Sequence, residues 1–441
     1  MSERIVAKAG GTSNATPEAV NQSMAWAEQS DIFVVSAPGK IEGDEPYADK
    51  ITNQLLRAHQ LYEQDGSVSP DVIDNITSRF AAIVDGLDSA RLTGKWIDAI
   101  GKRVVNAAKI SEDASSMLGE QLQSEIYKSA GFKLLDPSKS PQDIGDVPDA
   151  WREWLSDAYT EGQKYVLPGN VTKAAWRLMS FGRGGSDISG GLAAYGIHAD
   201  LNVNLTDGCA MSADPRLIES QRLQPIEHML YAEARELGRN GTGLVHPSAM
   251  VPLMRGDIPT EIRSTFDSAQ SPTLLDNNQE RASHREGNIV ALSLMRDVVI
   301  HKVHEPGMAE ASGRLAQFES GFAGLFIPII DSQGDGVDGQ KYFVQAEDKD
   351  ASYEAIAEVL NHGTIDTKED VDLITLVGNN LQSRYFDHIL DLMLSSGIDI
   401  KEWQGRGHDV SHGKHSIRVS VDHDKSKGIL DRIHAHYLEK E

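Results

Sequence analysis

The chain has 441 residues, 40% of them hydrophobic and 24% charged, which is the make-up of a globular protein of about two to four domains. Its 42 basic and 66 acidic residues leave a net charge of −24, which argues against a nucleic-acid surface but leaves room for local cations around an anionic small molecule. No apolar run reaches the roughly eighteen residues of a membrane span, no signal peptide precedes the first strand, and the single cysteine, Cys209, allows no internal disulfide; the expectation is a cytoplasmic protein, without membrane or nucleic-acid partners.

Ile5 to Lys8 reads as a short strand stopped by Gly10-Gly11, and Ile32 to Ala37 as a second, stopped by Pro38-Gly39. Between them, Thr16-Pro17 opens a stretch with helical spacing. Strand, glycine turn, helix and strand make a βαβ unit, hence an open and mainly parallel sheet whose ligands sit at the carboxyl ends of the strands. Lys8 and Ser36 lie at those ends. Tyr47 to about Ala130 is helical, with Ile51, Leu55, Ala58 and Tyr62 on one face. A Pro- and Asp-rich connection follows Asp136, and Tyr165 to Leu167 reads as a strand. The glycine-rich loop "SFGRGGSDISGG" comes next, then a helix through Ala194, the strand "LNVNLT", and the helix "EHMLYAEARELGRNG".

Near residue 270 the sequence becomes polar and reads as a linker. Beyond it two stretches share the order β-α-β-β-α. The first has strands at Ile289–Leu294, Val298–Val303, Leu325–Ile330 and Lys341–Ala346, with helices at Ala309–Ser320 and Ser352–Leu360. The second has strands at Val371–Val377, Ile398–Trp403 and Ser416–Val421, with helices at Tyr385–Ser395 and Lys427–Leu438. They read as two small α+β domains.

"KAGGTS", from Lys8 to Ser13, places a cation and exposed amides where a strand gives way to a helix, a fit for phosphate that a plain structural turn also explains. In "GRGGSD", Arg183 can fork onto a carboxylate or phosphate, and Asp187 sits just inside a helix N-terminus, where a cap with a surface Arg is the rival explanation. Glu120 reads as a residue near a helix start that either complements the dipole or pairs with an ammonium; Thr52 likewise opens a helix. The histidines of "HGKH" and "RIHAHY" lack companion carboxylates or cysteines, so they read as surface residues rather than metal ligands.

Taken in order, "VAKAGGTS", "VVSAPGK", "ITNQLL", "GE", "FGRGGSD", "SADPRLI", "LYAEARELGRNGTGLVHPSAM" and "IPTEIRSTFD" resemble the aspartate kinases over nearly the whole chain. The resemblance implies a three-layer α/β/α amino-acid-kinase domain over residues 1–270, with a mainly parallel open sheet. It also implies two C-terminal α+β, ferredoxin-like ACT domains over 285–362 and 370–441. The activity it implies is ATP-dependent phosphorylation of the L-aspartate side chain, with Mg²⁺ bound through the phosphates.

Carried over, Lys8, Gly10 and Gly11 would hold the transferring phosphoryl group and Asp187 would order the cations. Ser36, Thr52, Glu120, Arg183 and Ser186 would bind aspartate. Thr206, Asp207, Met211, Asp214 and Arg216, beside Lys8 and Gly11, would hold the nucleotide. Pro306, Gly307 and Met308 would form an effector turn for lysine or threonine, in a homodimer or larger homo-oligomer.

The chain also departs from the family. Ala9 replaces Phe, Gln123 replaces Ser, the nucleotide segment is shortened to "TDGCAMS", and no Phe-Ile-Gly follows Pro168-Gly169. Gly243 stands where the family has Lys, and Arg239, one helical turn earlier, is the expected substitute. An amino-acid-sensing pseudokinase and a kinase for another carboxylate, such as glutamate or N-acetylglutamate, are the alternatives.

Overall fold

A computed structural model describes residues 3–41, 43, 48–139, 147–174, 177–182, 184–239, 244–285, 287–307, 314–324, 331–334, 339–381, 384–395, 397, 410–412 and 414–439. They form two compact units. The first comprises Met1–Ala210, Ile226–Tyr231 and Val245–Asn278; the second comprises Met211–Pro225, Ala232–Leu244 and Gln279–Glu441.

In chain order the elements up to the glycine-rich loop are β1 (Ile5–Ala9), α1 (Pro17–Gln29), β2 (Ile32–Val35), α2 (Ile51–Asp65), α3 (Pro70–Asp85), α4 (Gly94–Ile110), α5 (Glu112–Ser129), β3 (Lys133–Leu134), α6 (Val147–Ala158), β4 (Tyr165–Pro168), β5 (Val171–Ala174) and β6 (Arg177–Ser180). Then come α7 (Gly185–Gly196), β7 (Leu201–Thr206), β8 (His228–Leu230), α8 (Tyr231–Arg239), α9 (Pro247–Arg255), β9 (Thr260–Ser264), β10 (Thr273–Asp276) and α10 (Gln279–Ala282). The remainder is β11 (Ile289–His304), α11 (Arg314–Gly324), β12 (Asp331–Gly334), β13 (Gly339–Gln345), α12 (Lys349–Val359), β14 (Thr364–Gly378), α13 (Arg384–Ser395), β15 (Val410–His412), β16 (Ser416–Asp422) and α14 (His423–Tyr437).

The first unit holds an eight-stranded sheet in the order β3-β4-β2-β1-β7-β9-β10-β8, parallel except where β10 meets β9. β2 and β4 are buried along their whole length, as strands covered on both faces must be. On one face Ala7, Ala9, Phe33, Val35, Val203 and Leu205 join residues of α1 to α5 in a single apolar cluster. Helices α6, α7 and α9 pack together on the other face, where Gly196 leaves room for the Leu155 side chain. Thr16 starts α1 by accepting the Ala19 N–H at 3.1 Å.

Two expectations need correction here. The polar stretch near 270 is not a linker but contains β10, which pairs with β8 and β9. Part of the helix expected from Glu227 is instead strand β8, because His228–Leu230 complete the sheet edge. The segment after Gly169 forms an antiparallel hairpin, β5 with β6.

The second unit holds a six-stranded antiparallel sheet in the order β12-β13-β11-β14-β16-β15. The separate strands expected at 289–294 and 298–303 are one strand, β11, with register shifts near Met295 and Val298. Asp297 and Asp370 sit there at φ +57 and +56, conformations an Asp tolerates better than a bulky side chain. Buried Asp372 pins this point: it accepts from the Asp297 N–H at 3.2 Å and from Ser426 Oγ at 2.6 Å. The strand expected at 398–403, the strand at 325–330 and the start of the helix from 309 lie outside the described residues.

Segment 211–225 belongs to the second unit because Ala213, Ile218 and Leu223 share the apolar cluster of α13, α14, β14 and β16. Ser212 Oγ lies 3.0 Å from His434 Nε2, and Arg222 pairs with Asp431 at 2.6 Å. His434 is fully buried, which corrects its reading as a surface residue. The second-unit part of α8 is fixed by charge: Glu236 pairs with Arg418, and Arg285 forks onto both oxygens of fully buried Glu233 at 2.6 Å. Arg285→Ala leaves that carboxylate buried without its fork and is expected to cost about 3–5 kcal/mol, read as a lowered denaturant midpoint.

Candidate active site

The site is built where β1, β2 and β7 end. After β1 the chain turns through Gly10 and Gly11 into a single helical turn at Thr12–Asn14. The turn is closely clasped. Gly10 N–H donates to Leu205 O at 3.0 Å, and Gly39 N–H donates to Gly11 O at 2.8 Å. A Cβ on Gly39 would lie 2.6 Å from the Gly11 carbonyl carbon, so only glycine fits there. Buried Asn14 fastens the turn, donating to the carbonyls of Ala9 and Gly10 at 3.2 and 3.0 Å. Its own carbonyl accepts from Gln123 Nε2 at 3.1 Å, which gives the unusual Gln123 a structural task.

The Gly10 amide is therefore committed to the sheet and does not face a phosphate, which corrects one expected role. The Gly11 N–H has no acceptor among the described residues.

Lys8 ends in a buried ion pair. Its ammonium lies 2.6 Å from Asp187 Oδ1, and its stem packs on Gly190 of α7. Asp187 is the third residue of α7, as expected, and its second oxygen accepts the His246 N–H at 3.1 Å. His246 caps α9, and its ring lies against Gly184, which has φ +71 and no room for a side chain. Burial pushes the His246 imidazole below its ordinary range, with Asp187 opposing. Ser36 Oγ donates to Ser186 Oγ at 2.7 Å, joining the end of β2 to the start of α7.

Glu120 does not sit at a helix start. It lies in the middle of α5, buried, where Gly119 lets the helix approach Ala37: a Cβ there would meet the Ala37 Cβ at 2.6 Å. Burial raises its carboxyl from the ordinary 4.5 to about 8, with backbone amides at Glu120 and Ala37 opposing. Its Oε2 has no hydrogen-bond partner among the described residues. Thr52 is the half-buried second residue of α2. Arg183 lies outside the described residues, as does Gly243.

Sequence reasoning missed Asn170, although "PGN" is a turn signal. Asn170 has φ +59 and holds three segments: its N–H donates to Ser189 Oγ, its Nδ2 to Ser116 Oγ, and its Oδ1 accepts from Phe181 N–H.

Of the expected nucleotide residues, Thr206 ends β7 in the first unit and Asp207 follows it, and Thr206 Oγ1 donates to Asp207 Oδ1 at 3.0 Å. Met211, Asp214, Arg216 and Arg239 belong to the second unit. There Met211 bridges to Pro225, Asp214 pairs with Arg216 at 2.6 Å, and Arg239 lies 3.6 Å from Glu236. Pro306 and Gly307 are exposed in the turn after β11; Met308 lies outside the described residues. Among the described residues no helix is long and apolar enough to cross a membrane.

Residues 3–264 match the sequence profile of the amino acid kinase family. Aspartokinase 3 of Bacillus subtilis is 24% identical over 381 residues, covering 79% of this chain and 80% of that protein. The bifunctional aspartokinase/homoserine dehydrogenase of Haemophilus influenzae is 25% identical over 366 residues, 74% of this chain but 42% of the relative. The structure of E. coli aspartokinase III in complex with aspartate and ADP shares the fold at TM-score 0.78 and 20% identity, over 99% of this chain and 100% of that one.

Proposed function

The chain belongs to the amino acid kinase family, and on that premise we propose that it uses ATP to phosphorylate the side-chain carboxylate of L-aspartate. The product is 4-phospho-L-aspartate, the first intermediate toward lysine, threonine and methionine. The observation that carries the substrate assignment is Glu120, a buried carboxyl with an unpartnered oxygen beside the β2 turn. Such a group suits a substrate that brings its own ammonium. The aspartokinase names of the relatives support the same reading.

In this reading Lys8 and the Gly11 N–H hold the transferring phosphoryl oxygens, and Asp187 keeps the Lys8 ammonium in place. Glu120 takes the substrate ammonium, while Arg183, Thr52, Ser36 and Ser186 orient its carboxylates. Catalysis then rests on positioning and charge neutralisation, which is what phosphoryl transfer requires. Within the first unit, Thr206 and Asp207 take the nucleotide.

Among the described residues no three metal-ligating side chains gather. The residues instead fit a Mg²⁺ carried on the nucleotide phosphates, with Asp187 as the protein's carboxylate beside it. When bound, that ion would neutralise charge on the phosphates.

Residues 1–270 would be the kinase domain, with 285–362 and 370–441 as paired ACT domains of a homo-oligomer. The Pro306–Met308 turn would receive lysine or threonine.

Trapping with hydroxylamine tests the reading. ATP-dependent hydroxamate should form from aspartate at least about tenfold faster than from glutamate, the smallest margin expected when a site rejects one extra methylene. Product from glutamate alone would move the assignment to another amino acid. Amino-acid binding without turnover would make the chain a sensor.

A further inference from the structure

The Gly10–Gly11 peptide is held by a side chain. The Gly10 carbonyl receives Asn14 Nδ2 at 3.0 Å and no other donor among the described residues. The carbonyls before and after it have backbone partners. Ala9 O accepts the Ser36 N–H at 3.2 Å, and Gly11 O accepts the N–H groups of Asn14 and Gly39 at 3.1 and 2.8 Å. A peptide between two glycines turns over easily, because neither residue has a side chain to oppose the rotation. The Asn14 carboxamide fixes this one.

That carboxamide is itself fixed. Asn14 is fully buried, and its Oδ1 accepts from Gln123 Nε2 at 3.1 Å and from the Tyr127 hydroxyl at 3.3 Å, both fully buried and one turn apart on α5. With two donors on its oxygen, the carboxamide presents its nitrogen to the Ala9 and Gly10 carbonyls. The C=O and N–H of a planar trans peptide point in opposite directions. Drawing the Gly10 oxygen toward Asn14 therefore turns the Gly11 N–H away from the buried network, and no described residue accepts it. The Lys8 ammonium lies beside the same peptide: a Cβ built on Gly10 would sit 3.5 Å from Nζ.

We propose that Asn14 is a positioning residue for phosphoryl transfer, with Gln123 and Tyr127 acting through it. Its grip on the Gly10 carbonyl keeps the Gly11 N–H turned toward the phosphoryl oxygens that Lys8 also meets, in the function proposed above, on which this inference rests. A donor held in place before the reaction stabilises developing charge without reorganising, whereas an overturned peptide presents a carbonyl oxygen to an anion.

Asn14→Leu keeps the bulk and removes the grip. With the full chain, hydroxamate formation from aspartate should fall about tenfold in kcat, less than the roughly hundredfold lost when such a donor is removed outright, at an aspartate KM within about twofold of wild type. Adding Gln123→Met removes the donor that the first change strands, so part of the lost thermal stability should return while kcat stays low. A packing role alone would restore turnover along with stability. The Gly11 amide is also open to direct observation by NMR. With glycine labelled at its carbonyl carbon and nitrogen, only the three Gly-Gly peptides at 10–11, 184–185 and 190–191 give carbon–nitrogen coupled signals. The Gly11 signal should move downfield when a non-hydrolysable ATP analogue binds with Mg²⁺, and Asn14→Leu should abolish that movement. Wild-type kcat in Asn14→Leu, turnover restored in the double variant, or a wild-type Gly11 signal that ignores the analogue overturns the proposal. Should Asn14→Leu fail to fold, Gln123→Met decides alone: kcat about threefold down with a weakened Gly11 movement supports the role, and wild-type behaviour refutes it. A wild-type chain that makes no hydroxamate removes the function and this inference together, whereas an active wild type with an unaffected Asn14→Leu variant removes the inference alone.

Discussion

Lys8→Met is expected to lower turnover about a thousandfold, the scale seen when a preorganised donor to a transition-state oxygen is removed. Methionine keeps most of the stem that packs on Gly190 and removes only the charge. The loss should therefore fall on kcat more than on the aspartate KM. The substitution also has a stability signature. Asp187 lies 2.6 Å from Lys8 Nζ with a side chain 15% exposed, so the variant strands a mostly buried carboxylate. Adding Asp187→Asn should return part of the thermal stability and none of the turnover, a non-additive pair that marks direct coupling. Turnover within tenfold of wild type in Lys8→Met would place the phosphate cation elsewhere.

The second large effect concerns Glu120. Its carboxyl titrates near 8 in the folded chain instead of 4.5, because burial disfavours the charged form. A raised folded value means that the stabilising state is the neutral one. That contribution is complete below about 4.5 and is lost as pH rises through about 8, at a slope approaching 1.4 kcal/mol per pH unit between the two. The ligand-free chain should thus lose stability across that window, and Glu120→Gln should flatten the loss.

Aspartate should reverse the sign. A bound ammonium favours the ionised carboxylate, so binding releases a proton and apparent affinity rises with pH up to about 8. Calorimetry in buffers of different ionisation enthalpy would count that proton. Glu120→Gln should abolish the release and raise the aspartate KM by roughly a hundredfold, the cost of losing a buried charge partner. A wild-type affinity independent of pH would contradict the assignment.

Much of this arrangement was legible in the residues, for identifiable reasons. Glycine stops and apolar runs marked β1 and β2, and the spacing of Ile51, Leu55 and Ala58 marked a buried helix face. Lys8 and Asp187 could be named because the order of the motifs that carry them resembles that of the aspartate kinases. Other features depend on distant partners. His228–Leu230 have helical neighbours, but the β10 edge recruits them as strand. Glu120 looks like a dipole partner until the packing of Gly119 on Ala37 shows how deeply it is buried. The Gly10 amide is exposed in the motif and occupied in the fold, since β7 passes beside it. His434 looked superficial because its partner Ser212 lies far away in sequence.

The division of the chain into units has a consequence for how such a molecule can be dissected or recombined. The polypeptide leaves the first unit at 210, returns at 226, leaves again at 231, returns at 245 and leaves finally at 278. No single cut separates two self-contained modules. A gene fragment ending at 278 would encode Ala213, Ile218 and Leu223 without the cluster that buries them, and Glu233 without Arg285. Insertional shuffling would meet the same obstacle, so the two halves must be inherited, expressed and exchanged together.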